Sequence, residues 1–235
     1  MANMKVELIE SAGGDLSVVN SARVSFNKES STLDTKDEKL INYLAKHRHD
    51  TPFRHNFIQL RCSVPLFLAR QLMKHQAGLT WNEESKRYVD DLPAIFYPDE
   101  WRERPEKSIK QGSGKRHKYT PRWSRFYEAH MQESLDMYRD MIRDGIAPEM
   151  ARMVLPQSMM VNFIWSGNLL AFYHVWNLRS GAEAQEEAQL FAELLREAIE
   201  PAFPKSWQAL EMRDGICPEC QVAGGQHKLD CGRGR

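Results

Sequence analysis

The chain has 235 residues, with 32 Lys+Arg against 32 Asp+Glu, 42% hydrophobic and 27% charged residues. That is long enough to bury one sizeable core and too apolar for a disordered chain. A net charge of zero excludes attachment to DNA or to an anionic membrane by bulk charge. No apolar run reaches the roughly 18 residues of a membrane span, and residues 1–16 lack a secretory apolar stretch, so a cytoplasmic protein is expected.

In chain order, Val6-Glu7-Leu8-Ile9 reads as a strand, and the apolar spacing around Leu40, Ile41 and Leu44 as a helix. From Asn56 to Val64 the sequence alternates: Ile58, Leu60, Cys62 and Val64 share one face, with Gln59, Arg61 and Ser63 opposite, as in a half-buried strand. Pro65 suits the first turn of a helix continued by Leu66, Leu68, Ala69, Leu72 and Met73. Residues 101–123 hold eight Lys/Arg against two Glu, with Pro and Gly breakers, and read as a mobile basic loop. Phe126, Tyr127, Met131, Leu135, Tyr138 and Ile142 form a helical stripe that stops at Gly145. Pro148 opens a short helix to about Val154. An apolar, Trp-containing helix is predicted over 157–179, and an acidic one over 183–200 with Leu190, Leu194 and Ile199 inward. The expected fold class is α+β: a mainly helical single domain with a small antiparallel sheet, over 1–210, and a short tail at 211–235.

Four cysteines are too sparse for a disulfide scaffold. Cys62 falls on the apolar face of its strand and reads as a core residue. Cys217, Cys220 and Cys231 crowd the tail with His227, and three thiolates plus an imidazole suit a closed tetrahedral zinc site. An unstructured tail with incidental cysteines is the alternative.

The chemistry concentrates in Ala69-Arg70-Gln71-Leu72-Met73-Lys74-His75-Gln76, followed by Asn82-Glu83-Glu84-Ser85-Lys86-Arg87-Tyr88. Gln71, Lys74 and His75 have the spacing of one helix face. Ser85 and Arg87 place a hydroxyl beside a guanidinium, which suits a phosphate. A solvated polar helix end with a capping loop would look the same. No Gly-x-Ser-x-Gly elbow surrounds Ser85, so it does not read as a nucleophile. His47, His49 and His55 lack acidic or thiol companions at a metal-site spacing.

This stretch resembles the signature of the flavin-dependent thymidylate synthases, Arg-His-Arg followed seven or eight residues later by Ser. Four further blocks occur in that family's order: Ser21-Ala22-Arg23-Val24-Ser25-Phe26, His49-Asp50-Thr51-Pro52-Phe53-Arg54-His55, Ala151-Arg152-Met153-Val154-Leu155-Pro156, and Asn177-Leu178-Arg179 with Ala184-Gln185-x-Glu187. The resemblance implies a homotetramer with FAD at subunit interfaces. It would methylate dUMP at C5 using methylenetetrahydrofolate, with NADPH as reductant. Position by position, Ser85, Arg87 and Arg152 would hold the nucleotide phosphate, and Gln71 and Arg179 the uracil ring. Arg179 would stabilise negative charge on the ring as C5 becomes nucleophilic. Ser25, Thr51, Lys74, His75, Gln76, Glu83, Asn168 and His174 would line the flavin. His49 would sit near flavin and folate, where it could transfer a proton. Arg152 and Arg179 fall in helices read as apolar, where a guanidinium needs a partner, so structural ion pairs are the competing reading.

The sequence departs from the motif on the flavin side. Lys74 and Gln76 replace two arginines, Arg54 replaces a glutamate, and His174 stands where the family often has asparagine. These departures raise a rival outcome, water rather than hydride adding to the one-carbon unit, which would give a 5-hydroxymethyl product from dUMP or dCMP. A more remote alternative is a nucleic-acid-binding protein on an inactive scaffold, using the basic loop and tail. The tail offers few basic and no aromatic residues for that purpose.

Overall fold

The computed structural model describes residues 3–88, 91–105 and 112–216; Cys217, Cys220, His227 and Cys231 lie outside them. The chain runs β1 (Lys5–Ala12), α1 (Asp15–Arg23), a 3-10 turn (Val24–Phe26), α2 (Thr35–Lys46), a 3-10 turn (Thr51–Arg54), β2 (Phe57–Pro65), α3 (Leu66–Leu72) and β3 (Leu79–Glu83). It continues with α4 (Thr120–Arg143), α5 (Pro148–Ala151), a 3-10 turn (Arg152–Val154), β4 (Met160–Gly167), α6 (Leu169–Arg179), α7 (Glu186–Ile199) and α8 (Pro204–Arg213). This is the expected α+β fold with a small sheet.

The sheet is antiparallel in the order β1-β2-β4-β3. In register, Leu60 faces Trp165, Cys62 faces Phe163 and Val64 faces Val161, so one face is apolar and buried. The other carries Gln59, Arg61, Ser63, Asn162 and Ser166, the alternation expected of a sheet covered on one side. Trp81 of β3 stacks on Phe163 with centroids 3.5 Å apart. Against this face lies α6, whose Phe172 meets Trp165 edge-on at 5.4 Å and whose Trp176 meets Trp207 of α8 at 5.5 Å. In β1 the register slips between Leu8 and Glu10, leaving Ile9 in a bulge.

Several sequence expectations are corrected. Residues 157–179 are two elements, β4 and α6, because Val161, Phe163 and Trp165 repeat with period two and pair with β2. Ile164, between them on the outer face, hides that alternation. Asn168 then starts α6, its side chain accepting from the Ala171 amide at 3.0 Å. Pro65 ends β2 and is the N-cap position of α3 rather than a residue of its first turn. On α4, Phe126 is exposed, whereas Met131 and Tyr138 are buried as expected. On α7, Leu190 faces solvent, and Ala188, Phe191, Ala192, Leu195 and Ile199 face inward.

The basic stretch is in part built into the fold. Thr120–Trp123 form the first turn of α4, where Pro121 costs nothing because no amide partner is available. His117 donates its amide to the Trp101 carbonyl at 2.7 Å, and Glu103 to Lys115 at 2.8 Å. Arg102 reaches Glu186 and Glu187 of α7, at 2.6 Å to each, so the acidic helix neutralises part of the loop. No helix of the described residues is long and apolar enough to cross a membrane.

Helix α8 is capped from a distance. The largely buried Asp15 carboxylate accepts from the amides of Lys205 at 2.9 Å and Ser206 at 2.8 Å, supplying acceptors to a helix end that has none of its own. Asp15→Ala is expected to destabilise the protein by about 1–2 kcal/mol, as for a lost N-cap. Denaturant unfolding measures this; an unchanged midpoint would refute the role.

Candidate functional site

Two segments meet α6 and build a polar wall. The first is the turn after α3. Helix α3 stops at Leu72, and the backbone tightens as Lys74 donates to the Gln71 carbonyl at 3.3 Å and His75 to Leu72 at 2.9 Å. Gln71 therefore lies on the helix, while Lys74, His75 and Gln76 lie on the turn; the expected common helix face does not form. The chain must reverse within seven residues to deliver β3 to β4, which a continuing helix would prevent. Gly78 completes the reversal at φ +75°, where a Cβ would lie 2.8 Å from Asn168 Nδ2.

Along this turn His75 Nε2 lies 3.1 Å from Arg179 Nε and 2.9 Å from Arg179 Nη2. Arginine has no acceptor, so Nε2 must present its lone pair and the ring proton must sit on Nδ1. Burial first, then the Arg179 charge and then His174, hold the His75 imidazole below its ordinary 6.5. Arg179, at the end of α6, is half-buried, with burial drawing its own value down.

The second segment is 47–55. His49, Thr51 and Arg54 are exposed, with Asp50 partly covered between them. Asn56 follows and accepts from the Leu169 amide at 2.7 Å, tying the segment to the start of α6. On α6, residues 169–173 and 175–176 are buried, whereas His174 is open to solvent beside both segments. The structure thus brings His75, Asn168, His174 and Arg179 together through the turn and α6, with His49 and Thr51 on the adjoining segment.

The remaining candidates stand apart in the single chain. Arg87 donates from its amide and from Nε to Ser85 Oγ, both at 3.3 Å, which fixes a hydroxyl beside a guanidinium. Arg152 is exposed on a 3-10 turn rather than buried in an apolar helix, with Nε donating to the Glu149 carbonyl at 3.3 Å. Ser25 is exposed on its own turn. Glu83, at the end of β3, accepts from Trp81 Nε1 at 3.2 Å, and desolvation holds its carboxyl above the usual range. Three of these positions are flanked by apolar side chains in water: Val24 (71% exposed) and Phe26 (76%) around Ser25, Tyr88 (78%) after Arg87, and Met153 (68%) after Arg152. A cleft of about 1280 Å³ opens elsewhere, between β1, β2 and the segment with Lys86, and the wall residues do not line it. Among the described residues no group of three His, Cys, Asp or Glu side chains could hold a metal.

Sequence reasoning missed Asn56, Gly78, Asp50, Arg213 and Asp214. The last two were signalled by Arg213-Asp214-Gly215, a helix end with its glycine.

Similarity to known proteins gives the family. Residues 7–205 match the family profile described as Thymidylate synthase complementing protein. A flavin-dependent thymidylate synthase from Thermosipho africanus is 32% identical over 208 residues, 87% of this chain and 89% of the relative. Another, from Tropheryma whipplei, is 31% identical over 236 residues, 93% and 96% of the two chains. The crystal structure of a UMP/dUMP methylase, PolB from Streptomyces cacaoi bound with 5-Br dUMP, superposes with a TM-score of 0.80 at 29% identity, covering 90% of this chain and 96% of that one. The chain therefore belongs to the thymidylate synthase complementing family. It is an enzyme of the flavin-dependent thymidylate synthase kind.

The His75–Arg179 bond sets a pH rule. Protonation of His75 removes the acceptor, and since its folded value lies below 6.5 the bond persists through neutral pH and is lost as pH falls through that lowered value. Nitrogen NMR of the imidazoles at pH 7.5 is expected to find His75 as the Nδ1–H tautomer; the Nε2–H tautomer would contradict the geometry.

Proposed function

We propose that the protein methylates dUMP at C5 in the cytoplasm, with methylenetetrahydrofolate as one-carbon donor, NADPH as reductant and FAD as its prosthetic group. The observation that carries this reading is the Arg179 guanidinium at the end of α6, oriented by the neutral His75. A fixed positive charge beside the pyrimidine oxygens stabilises the negative charge that develops when C5 attacks, without reorganising at that moment. Ser85 and Arg87 would hold the nucleotide phosphate with Arg152, and Gln71 would meet the ring.

The donor set of the wall fits a flavin dinucleotide. Thr51, Arg54, Lys74 and His49 offer hydroxyl, guanidinium, ammonium and imidazole groups on an open surface, as a pyrophosphate requires. Ser25, His75, Gln76, Glu83, Asn168 and His174 would complete the contacts. Bound FAD would supply the hydride relay between NADPH and the transferred carbon. Cys62 is not the nucleophile: it is fully buried in the sheet, and burial pushes its thiol far up. No covalent cysteine adduct is therefore part of the reaction proposed.

The separation of Ser25, Ser85–Arg87 and Arg152 from the wall, each among exposed apolar side chains, supports a site completed between copies of the chain in a homotetramer. The zinc reading of Cys217, Cys220, His227 and Cys231 rests on their spacing. Metal analysis of the wild type against Cys217→Ser/Cys220→Ser is expected to find zinc only in the former; equal metal content would remove it.

Purified protein is expected to take up FAD and to convert dUMP, methylenetetrahydrofolate and NADPH to dTMP. Mass analysis of the product decides this, and a 5-hydroxymethyl nucleotide would overturn it. Arg179→Ala is expected to lower kcat by about 100-fold or more, the scale of losing one charge-stabilising donor, with folding retained. Undiminished turnover in that variant would defeat the role given to Arg179.

A further inference from the structure

Past the last residue matched by the family profile, α8 ends in a buried charge network. The Arg213 side chain is only 3% exposed. It donates from Nη1 to Asp50 Oδ1 at 3.2 Å, and from Nε and Nη2 to the two Asp214 oxygens at 2.9 and 3.0 Å. Its guanidinium also lies 5.4 Å from the centroid of the Tyr173 ring. Asp214 accepts further from the Tyr173 hydroxyl at 3.1 Å and from Asn177 at 3.4 Å, and pairs with Arg48 at 3.7 Å. Asp50 also meets Arg54 at 4.0 Å.

A guanidinium this deep persists only when carboxylates satisfy it. One of them, Asp214, is its neighbour in sequence. The other is Asp50, which lies between His49 and Thr51 and is the only carboxylate of residues 47–55, since Arg54 stands where the motif has glutamate. The next residue on α6 after Tyr173 is His174, which is open to solvent.

We propose that Asp50 and Arg213 are a positioning pair, which holds the His49–Thr51 segment and His174 of α6 in fixed relation and so shapes the flavin-side wall. The inference rests on the reading that this wall receives FAD. Its electrostatic signature belongs to the protein alone. Burial lowers the His174 imidazole first; Arg213 and Arg54 lower it further, Asp50 and Asp214 raise it, and His75 lies close enough to interact with it.

Histidine NMR titration of the protein without ligands reads that signature. Asp50→Asn is expected to shift the His174 pKa down and Arg213→Gln to shift it up, while Arg213→Lys, which keeps the charge, stays near the wild type. Shifts of the same sign in Asp50→Asn and Arg213→Gln, or none in either, would overturn the proposal, because opposite signs are required if both charges are held beside the His174 imidazole. Fluorescence titration with FAD is expected to show about tenfold weaker binding in each single variant and no further loss in the double variant, as for two partners in one contact. Unchanged FAD affinity in both variants of a protein whose wild type binds FAD would also refute it. A wild type that takes up no FAD would instead refute the reading of the wall, leaving the histidine titration to decide the network. If Arg213→Gln does not fold, Asp50→Asn and Arg213→Lys carry both measurements.

Discussion

The hydrogen bond from the Leu169 amide to Asn56 Oδ1, at 2.7 Å, fixes where the sheet ends and α6 begins. The first amides of a helix have no partners within it, and here two asparagines supply acceptors, Asn56 from across the sheet and Asn168 locally. Because Asn56 directly precedes β2 and Leu169 follows β4, this joint keeps the β2–β4 register in step with the helix. His174 and Arg179 lie at set numbers of turns from that origin, so their positions follow from it. The aromatic packing of Trp165, Phe172, Trp176 and Trp207 then holds the helix rigid along its length.

Charge is distributed by the same logic. Part of the charge in this formally neutral chain is paired across segments far apart in sequence: Arg102 with Glu186 and Glu187, Arg213 with Asp50, and Arg23 with the buried Asp37. The first binds the basic stretch to the acidic helix and takes from it part of the charge a nucleic-acid groove would need. Exposed groups such as Arg87 and Arg152 have no carboxylate partner among the described residues, which leaves them suited to anions. In Arg179 the guanidinium is held by a neutral imidazole instead, so its orientation is set without cancelling its charge.

What the sequence disclosed follows from which signals are local. Alternation exposed β2, an αL glycine marked the end of α4 at Gly145, and the motif order led to the family. The division of 157–179 was hidden because Ile164, on the outer face of β4, joins Phe163 and Trp165 in an apolar run that breaks the alternation of Asn162 and Ser166. Lys74 and His75 were read on the helix with Gln71 because residue spacing does not show that a chain must turn back. Arg102, Asp15 and Arg213 act through partners 85, 190 and 163 residues away in sequence, a separation that no periodicity reports. His75 and Arg179 could be named from the motif, but the tautomer their contact requires could only be read from their geometry.

The slipped register of β1 has a consequence for solubility. An outer strand offers unpaired backbone groups to any other strand, and flat, apolar edges recruit neighbours indefinitely. Here Ile9 bulges out of the ladder, and Lys5, Glu7 and Glu10 line the strand with charge. That edge resists sheet-to-sheet growth. In the homotetramer proposed above, contact between copies would fall instead on surfaces such as those carrying Val24, Phe26, Tyr88 and Met153, where association would bury apolar area and could stop at a closed, finite assembly.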